Sequence, residues 1–185
     1  MNIPKPLATK ALIPLLAGLL LLQGCAATLN DKGIGYSTHN IGLTCYSGVT
    51  NAWLKYAGLV SQLCVTQVAR EKLASDVNRV PGSTAGYYKA FTGLMEMKWR
   101  ARDGTQLSHT VDLNKEIPDP RIPYAHPERV YAKAPFLGDP TIVVEYDDRT
   151  ANVYVAATLQ VLPLDPSKGQ LERVDTYTLI YTRTL

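Results

Sequence analysis

Apolar and charged side chains alternate without a break over Met95-Glu96-Met97-Lys98-Trp99-Arg100, and a period of two is that of a strand with one buried face. Asp103-Gly104 supplies turn residues, after which Leu107, His109, Val111 and Leu113 alternate back. The segment therefore predicts a hairpin with His109 on its inward side, bonded to backbone rather than engaged in catalysis. The run TIVVEY over 141–146 predicts another strand, closed by the turn residues Asp147-Asp148-Arg149-Thr150. Residues 152–162 and 171–184 predict a last, long hairpin across the turn 163–169. In its second arm Val174, Thr176, Thr178, Ile180 and Thr182 share one face, and Tyr177, Leu179 and Tyr181 the other. Sizeable side chains on both faces predict a central position in the sheet. Looser alternation over 36–46 predicts a first strand, and 129–133 a short one.

The segment 50–80 has a different rhythm. Trp53, Ala57, Val60, Cys64 and Val68 recur at three-to-four spacing, Leu73 and Val77 extend the stripe, and charges gather in the second half. Thr50 could cap the start of a helix and Pro81-Gly82 its end. Gly58 and the β-branched pair Val65-Thr66 argue for a break, with a strand over 63–68 as the alternative. Residues 82–86 read as a loop, and 87–91 carry no clear pattern. The segment from Ile117 to Pro127 holds four prolines, and proline removes donors and fixes φ, so an extended, semi-rigid loop is expected there. It is either a surface that presents side chains to a partner or a plain crossover. The expected fold class is α+β: a mainly antiparallel β-sheet or sandwich with an N-terminal helical segment.

The start of the chain has the layout of an export signal. Lys5 and Lys10 precede an apolar run over 11–22, too short for a spanning helix of roughly 20 residues. The following Leu22-Gln23-Gly24-Cys25 resembles the lipobox of bacterial lipoproteins. That resemblance implies cleavage before Cys25, a diacylglycerol (palmitate-bearing) group on its sulfur and acylation of its amino group. Several acyl chains, each buried CH₂ contributing about 0.8 kcal/mol, make a stable membrane anchor. Ala26 and Ala27, rather than an aspartate, follow the cysteine, which by the same resemblance directs the protein to the periplasmic face of the outer membrane. The expected organisation is a signal peptide over 1–24, a tether over 25–35 and one periplasmic β-rich domain over 36–185.

Charge narrows the partners. The formal charge of +3 falls to +1 once Lys5 and Lys10 leave with the signal, which removes the electrostatic case for nucleic acid. Eleven tyrosines against two phenylalanines and two tryptophans suit half-buried pleated surfaces. With Cys25 committed to lipid, Cys45 and Cys64 remain as a pair in an oxidising compartment. A disulfide between them is expected, two inert buried thiols being the other outcome. His39, His109 and His126 are scattered and no CxxC or HxxxH occurs, so no metal or cofactor is expected.

No GxSxG, HExxH or glycine-rich phosphate loop is present, and Asp147-Asp148 reads as a solvated turn, so a non-enzymatic, protein-binding role is expected. The hairpin segment over 95–117, MEMKWRARDGTQLSHTVDLNKEI, resembles small lipoproteins encoded beside type VI secretion effectors. That resemblance implies an immunity protein holding a periplasmic toxin, such as a phospholipase, in check. The alternative is an envelope-assembly or secretion-accessory lipoprotein, and an enzyme with an unfamiliar site is a third class. Arg121, Tyr124 and His126 of the proline loop are the expected partner contacts, because Arg and Tyr dominate interface centres.

Overall fold

The computed structural model describes residues 33–82 and 84–185. The expected signal peptide, the lipidation site Cys25 and the first part of the tether lie outside them. Among the described residues eleven strands make up the architecture: β1 (Gly33–Gly35), β2 (Thr38–Tyr46), β3 (Thr50–Tyr56), β4 (Leu59–Leu63), β5 (Thr84–Lys89), β6 (Met95–Arg100), β7 (Gln106–Val111), β8 (Arg121–Pro123), β9 (Thr141–Asp147), β10 (Thr150–Val161) and β11 (Glu172–Thr184). They form a five-stranded sheet ordered β11-β10-β9-β2-β5, a four-stranded sheet ordered β4-β3-β6-β7 and a small β1-β8 pair. Both large sheets contribute to one buried cluster that includes Ile41, Leu54, Tyr56, Met97, Trp99, Val144 and Tyr146. Trp99 and Tyr146 pack with ring centroids 5.2 Å apart. Their polar atoms are satisfied by backbone, Trp99 Nε1 donating to Asp148 O at 2.6 Å and Tyr146 OH to Trp53 O at 2.8 Å.

The largest correction concerns residues 50–80, which hold no helix. Ala52, Leu54 and Tyr56 are fully buried between more exposed neighbours, so the period over these residues is two. Ala57 and Gly58, at φ of 50° and 83°, close a two-residue turn between Tyr56 and its partner Leu59. Two consecutive positive φ angles define the turn that matches strand twist, and glycine enters it without strain. Of the residues that gave the helical spacing, Val60, Val68, Leu73 and Val77 are exposed, whereas Ala57 and Cys64 are partly buried against the core. The stripe thus does not form one face turned to the core. The remainder, 64–80, is an irregular strap containing one 3₁₀ turn, Ala74–Asp76. Among the described residues the single α-helical segment is the four-residue α1 (Leu113–Glu116), which begins where the returning hairpin strand was expected to end. The class is therefore all-β, not α+β.

Other differences follow from pairing. β2 and β9 run parallel, the exception among the described strands, which otherwise pair antiparallel. Residues 84–89, read as loop and unassigned chain, form β5 on the edge beside β2. Residues 33–35, expected as tether, pair with β8 inside the proline segment. The expected strand over 129–133 is a 3₁₀ turn at Pro127–Arg129 followed by a single bridge from Val130 to Val161. β11 lies at an edge rather than in the centre. Its register slips so that Val153 faces Tyr181 and Tyr154 faces Leu179, leaving Ile180 as a bulge. That extra residue places Tyr181 on the face opposite Leu179, against strict alternation. A bulge on a 13-residue edge strand also blunts unwanted strand pairing.

Candidate functional site

β9 is buried along Thr141–Tyr146, on both faces. Ile142, Val144 and Tyr146 belong to the core cluster, which by alternation turns Thr141, Val143 and Glu145 to the outside of the sheet. A charged residue on a strand that is buried on both sides must be paired. Glu145 is 2% exposed. Lys72 of the strap donates to both of its oxygens, at 2.8 and 2.7 Å. Asn152 Nδ2 at 3.1 Å and Tyr154 OH at 3.2 Å donate further to Oε1. The Lys72 ammonium also lies 5.5 Å from the Tyr46 ring centre and 5.9 Å from that of Tyr154. Burial works against its charge, but the Glu145 carboxylate outweighs this and raises the pKa of Lys72 above its usual value. Burial, together with the Glu145 charge, raises the pKa of Tyr154 and Tyr177. With both carboxylate oxygens engaged, Glu145 latches the strap to the sheet.

Two further ties hold the strap. Cys45 on β2 and Cys64 at the end of β4 are joined by a disulfide, as expected for the leftover cysteine pair. Backbone bonds of 2.9 Å from Ser47 N to Arg70 O, Gly48 N to Ala69 O and Ala69 N to Val49 O seat the strap on the β2–β3 turn. Arg70 then forks onto Asp76 at 2.6 and 2.8 Å, and Leu73 N donates to the same carboxylate at 2.8 Å. Arg70 and the Leu73 amide hold the Asp76 carboxyl down to about 2. Arg102 pairs with Glu71, which links the strap to the β6–β7 loop.

Between the strap and the loop 137–139 the outer face opens into a groove of about 470 Å³. Its floor is Thr141, Ala156, Ala157, Thr158, Thr176 and Tyr177, its walls Asn78 and Val80 on one side and Leu137 and Asp139 on the other, with Asp175 at the β11 edge. Thr38 Oγ1 donates to Asp139 Oδ1 and Thr158 Oγ1 to Asp175 Oδ1, each at 2.6 Å. Among the described residues no Lys or Arg lines the groove.

The residues expected to bind a partner lie elsewhere. Arg121 donates from Nε to Asp119 at 2.5 Å and from Nη1 to Gly33 O at 3.2 Å, tying the β1-β8 pair together. Tyr124 and His126 meet edge to face at 6.2 Å, and His126 Nδ1 lies 3.4 Å from Glu128. None of the three lines the groove. His109 is half-buried on the inward side of β7, but its partner is a side chain of the other sheet. Its ring stacks on Tyr181 at 5.9 Å and its Nε2 lies 2.7 Å from the Tyr181 hydroxyl. Asp148 is a turn residue at φ 47°, its Oδ1 accepting from Arg102 N at 3.0 Å. Sequence reasoning missed Lys72, Glu145, Asp139 and Asp175. The available signal was Glu145 itself, a lone charge inside the apolar run TIVVEY.

No family model matches the chain, and comparison with curated proteins and with solved structures finds no similar protein.

Proposed function

We propose that the chain is a lipid-anchored, periplasm-facing protein-binding module that acts as an immunity protein, inhibiting a type VI secretion toxin such as a phospholipase. The observation that carries the binding role is the strap. Val65, Val68, Leu73 and Val77 are 51%, 70%, 54% and 59% exposed along it, while the disulfide, the Lys72–Glu145 latch and the Arg70–Asp76 fork pin its backbone. Aliphatic groups left in water favour burial against a partner, and a segment already fixed loses little entropy on binding. The compartment rests on Leu22-Gln23-Gly24-Cys25 and the toxin class on the hairpin over 95–117. Inhibition would proceed by covering the toxin's active site or its approach to the membrane. The lipid would keep the inhibitor where the damage falls.

A gene deletion in a strain whose siblings fire type VI toxins tests this directly. Loss of viability on contact is expected, restored by the wild-type gene and not by one whose strap carries Val68→Asp and Val77→Asp. Undiminished competition against every toxin-armed sibling, with no toxin retained by the purified chain, would transfer the chain to an envelope-assembly role. Wild-type protein that fails to incorporate labelled palmitate, or Cys25→Ser protein that still does, would remove the anchor.

A further inference from the structure

The groove across the outer face of the five-stranded sheet has no positive group among the described residues that line it, although it carries a carboxylate on each side. Asp139 and Asp175 each spend Oδ1 on a threonine hydroxyl, and the Oδ2 atom of each accepts no hydrogen bond from the described residues. Carboxylates held in orientation by one bond, with a second oxygen left over, are preorganised acceptors for a cation. The rims are apolar: Leu137 is 47% exposed and Val80 41%. The basic residues nearest in sequence on the strap are already committed, Lys72 to Glu145 and Arg79 to Asp76. A volume of about 470 Å³ falls within the roughly 300–1,000 Å³ of occupied binding pockets.

We propose that this groove receives an arginine side chain from an extended segment of the protein partner, its guanidinium between Asp139 and Asp175 and its aliphatic neighbours on Val80 and Leu137. The proposal rests on the protein-binding reading above and adds the chemistry of what is recognised. Arginine fits better than lysine because its guanidinium is planar, more weakly hydrated and able to fork onto carboxylates.

Titration of the ¹⁵N-labelled full-length chain in detergent micelles tests the assignment, using blocked pentapeptides with a central arginine, lysine, methionine or glutamate between leucines. Saturable shifts are expected with the arginine peptide at the amides of Thr141, Ala156, Thr176 and Tyr177, weakened by added salt. Lysine should bind more weakly, and methionine and glutamate not at all. Asp175→Asn keeps the acceptor for Thr158 and should lower the affinity for the arginine peptide about tenfold, with spectra elsewhere unchanged. Absence of saturable shifts, equal shifts with methionine, or unchanged affinity in Asp175→Asn would overturn the proposal. Toxin captured equally by Asp175→Asn and wild type would sink the groove and leave the immunity role standing. Arginine binding at the groove in a strain whose deletion brings no toxin sensitivity would do the reverse.

Discussion

One face of β9 packs Ile142, Val144 and Tyr146 into a dry cluster shared with the opposite sheet, whereas Glu145 on the other face is covered by a strap without regular structure. Both faces are buried, yet by different chemistry. The inner face uses aliphatic and aromatic area, each side chain surrounded by neighbours from several strands, so its stability belongs to the whole fold. The outer face uses a few directional contacts, one lysine on a carboxylate and one arginine fork that braces the strap, while the disulfide ties the start of the strap to Cys45 of the core cluster. Such contacts fix a segment in place without merging it into the core. They leave the strap's valines and leucine turned to water and a groove open beside it. A sheet built this way separates a part held by the whole fold from a part held by a few local contacts.

The sharpest way to break the comparison is to damage each side and ask how far the damage spreads. Trp99→Ala removes a side chain with no exposed surface and leaves Asp148 O without its donor. It should cost about 4 kcal/mol and lower the stability of strap and core alike, measured by chemical denaturation. Replacing the disulfide by Cys45→Ala with Cys64→Ala opens a loop of sequence separation 19 and should cost about 3 kcal/mol on chain-entropy grounds. Added proteolytic cleavage should fall within 64–80, ahead of global unfolding. If both variants unfold the molecule in a single step at the same protease sensitivity, strap and core are one cooperative unit.

Lys72→Met sharpens the same point. It leaves the Glu145 carboxylate buried with only Asn152 and Tyr154 as donors. The lysine side chain is 25% exposed, so the loss should be about 2 kcal/mol, below that of a fully buried pair. Adding Glu145→Leu should recover much of it, since the penalty lies in the stranded charge. Hydrogen exchange should accelerate at the strap amides and not at those of β6. A double variant no better than Lys72→Met would show that the pair itself, rather than the unpaired acid, carries the stability.

These two regions were also unequally legible in the sequence. Strands bearing one clean face, such as Met95–Arg100, and the disulfide pair could be read directly, because burial writes alternation into the chain and leftover cysteines in one compartment pair. Residues 50–80 could not. The valines at helical spacing are there for the surface, and periodicity carries no label saying whether a stripe faces core or water. The edge position of β11 was hidden for a similar reason: its tyrosines cover both faces, but Tyr177 packs on Tyr154 at 4.7 Å outside while Tyr181 reaches His109 inside. The groove depends on Asp139 and Thr141 meeting Ala156 and Asp175 from two other segments, and spacing along the chain does not encode that meeting.

The smallest expected effect concerns protons in the core. His39 has no exposed surface and packs among the rings of Tyr56, Tyr88 and Phe91. Its Nδ1 lies 2.9 Å from the Asn40 carbonyl and so must donate there. In the neutral ring that leaves Nε2 to accept from Tyr56 OH at 3.1 Å. Burial lowers its pKa below the ordinary value of 6.5, against the opposing pull of the Asn40 and Lys89 carbonyls and the Asp139 charge. The folded state therefore binds this proton less readily than the unfolded chain. The stabilisation is whole above pH 6.5 and declines as pH falls through the unfolded value toward the folded one. Asp76, with its carboxyl at about 2 against an ordinary 3.8, contributes stability present above pH 3.8 and lost only as pH falls toward 2, so the two windows separate. Denaturation midpoints measured from pH 8 to pH 5 should drift down in the wild type and drift less in His39→Gln, which keeps a polar neighbour for Tyr56 but does not titrate, the remaining drift coming from His109, whose pKa burial also lowers. A drift of the same size in both proteins would assign the pH sensitivity to His109 and not to His39.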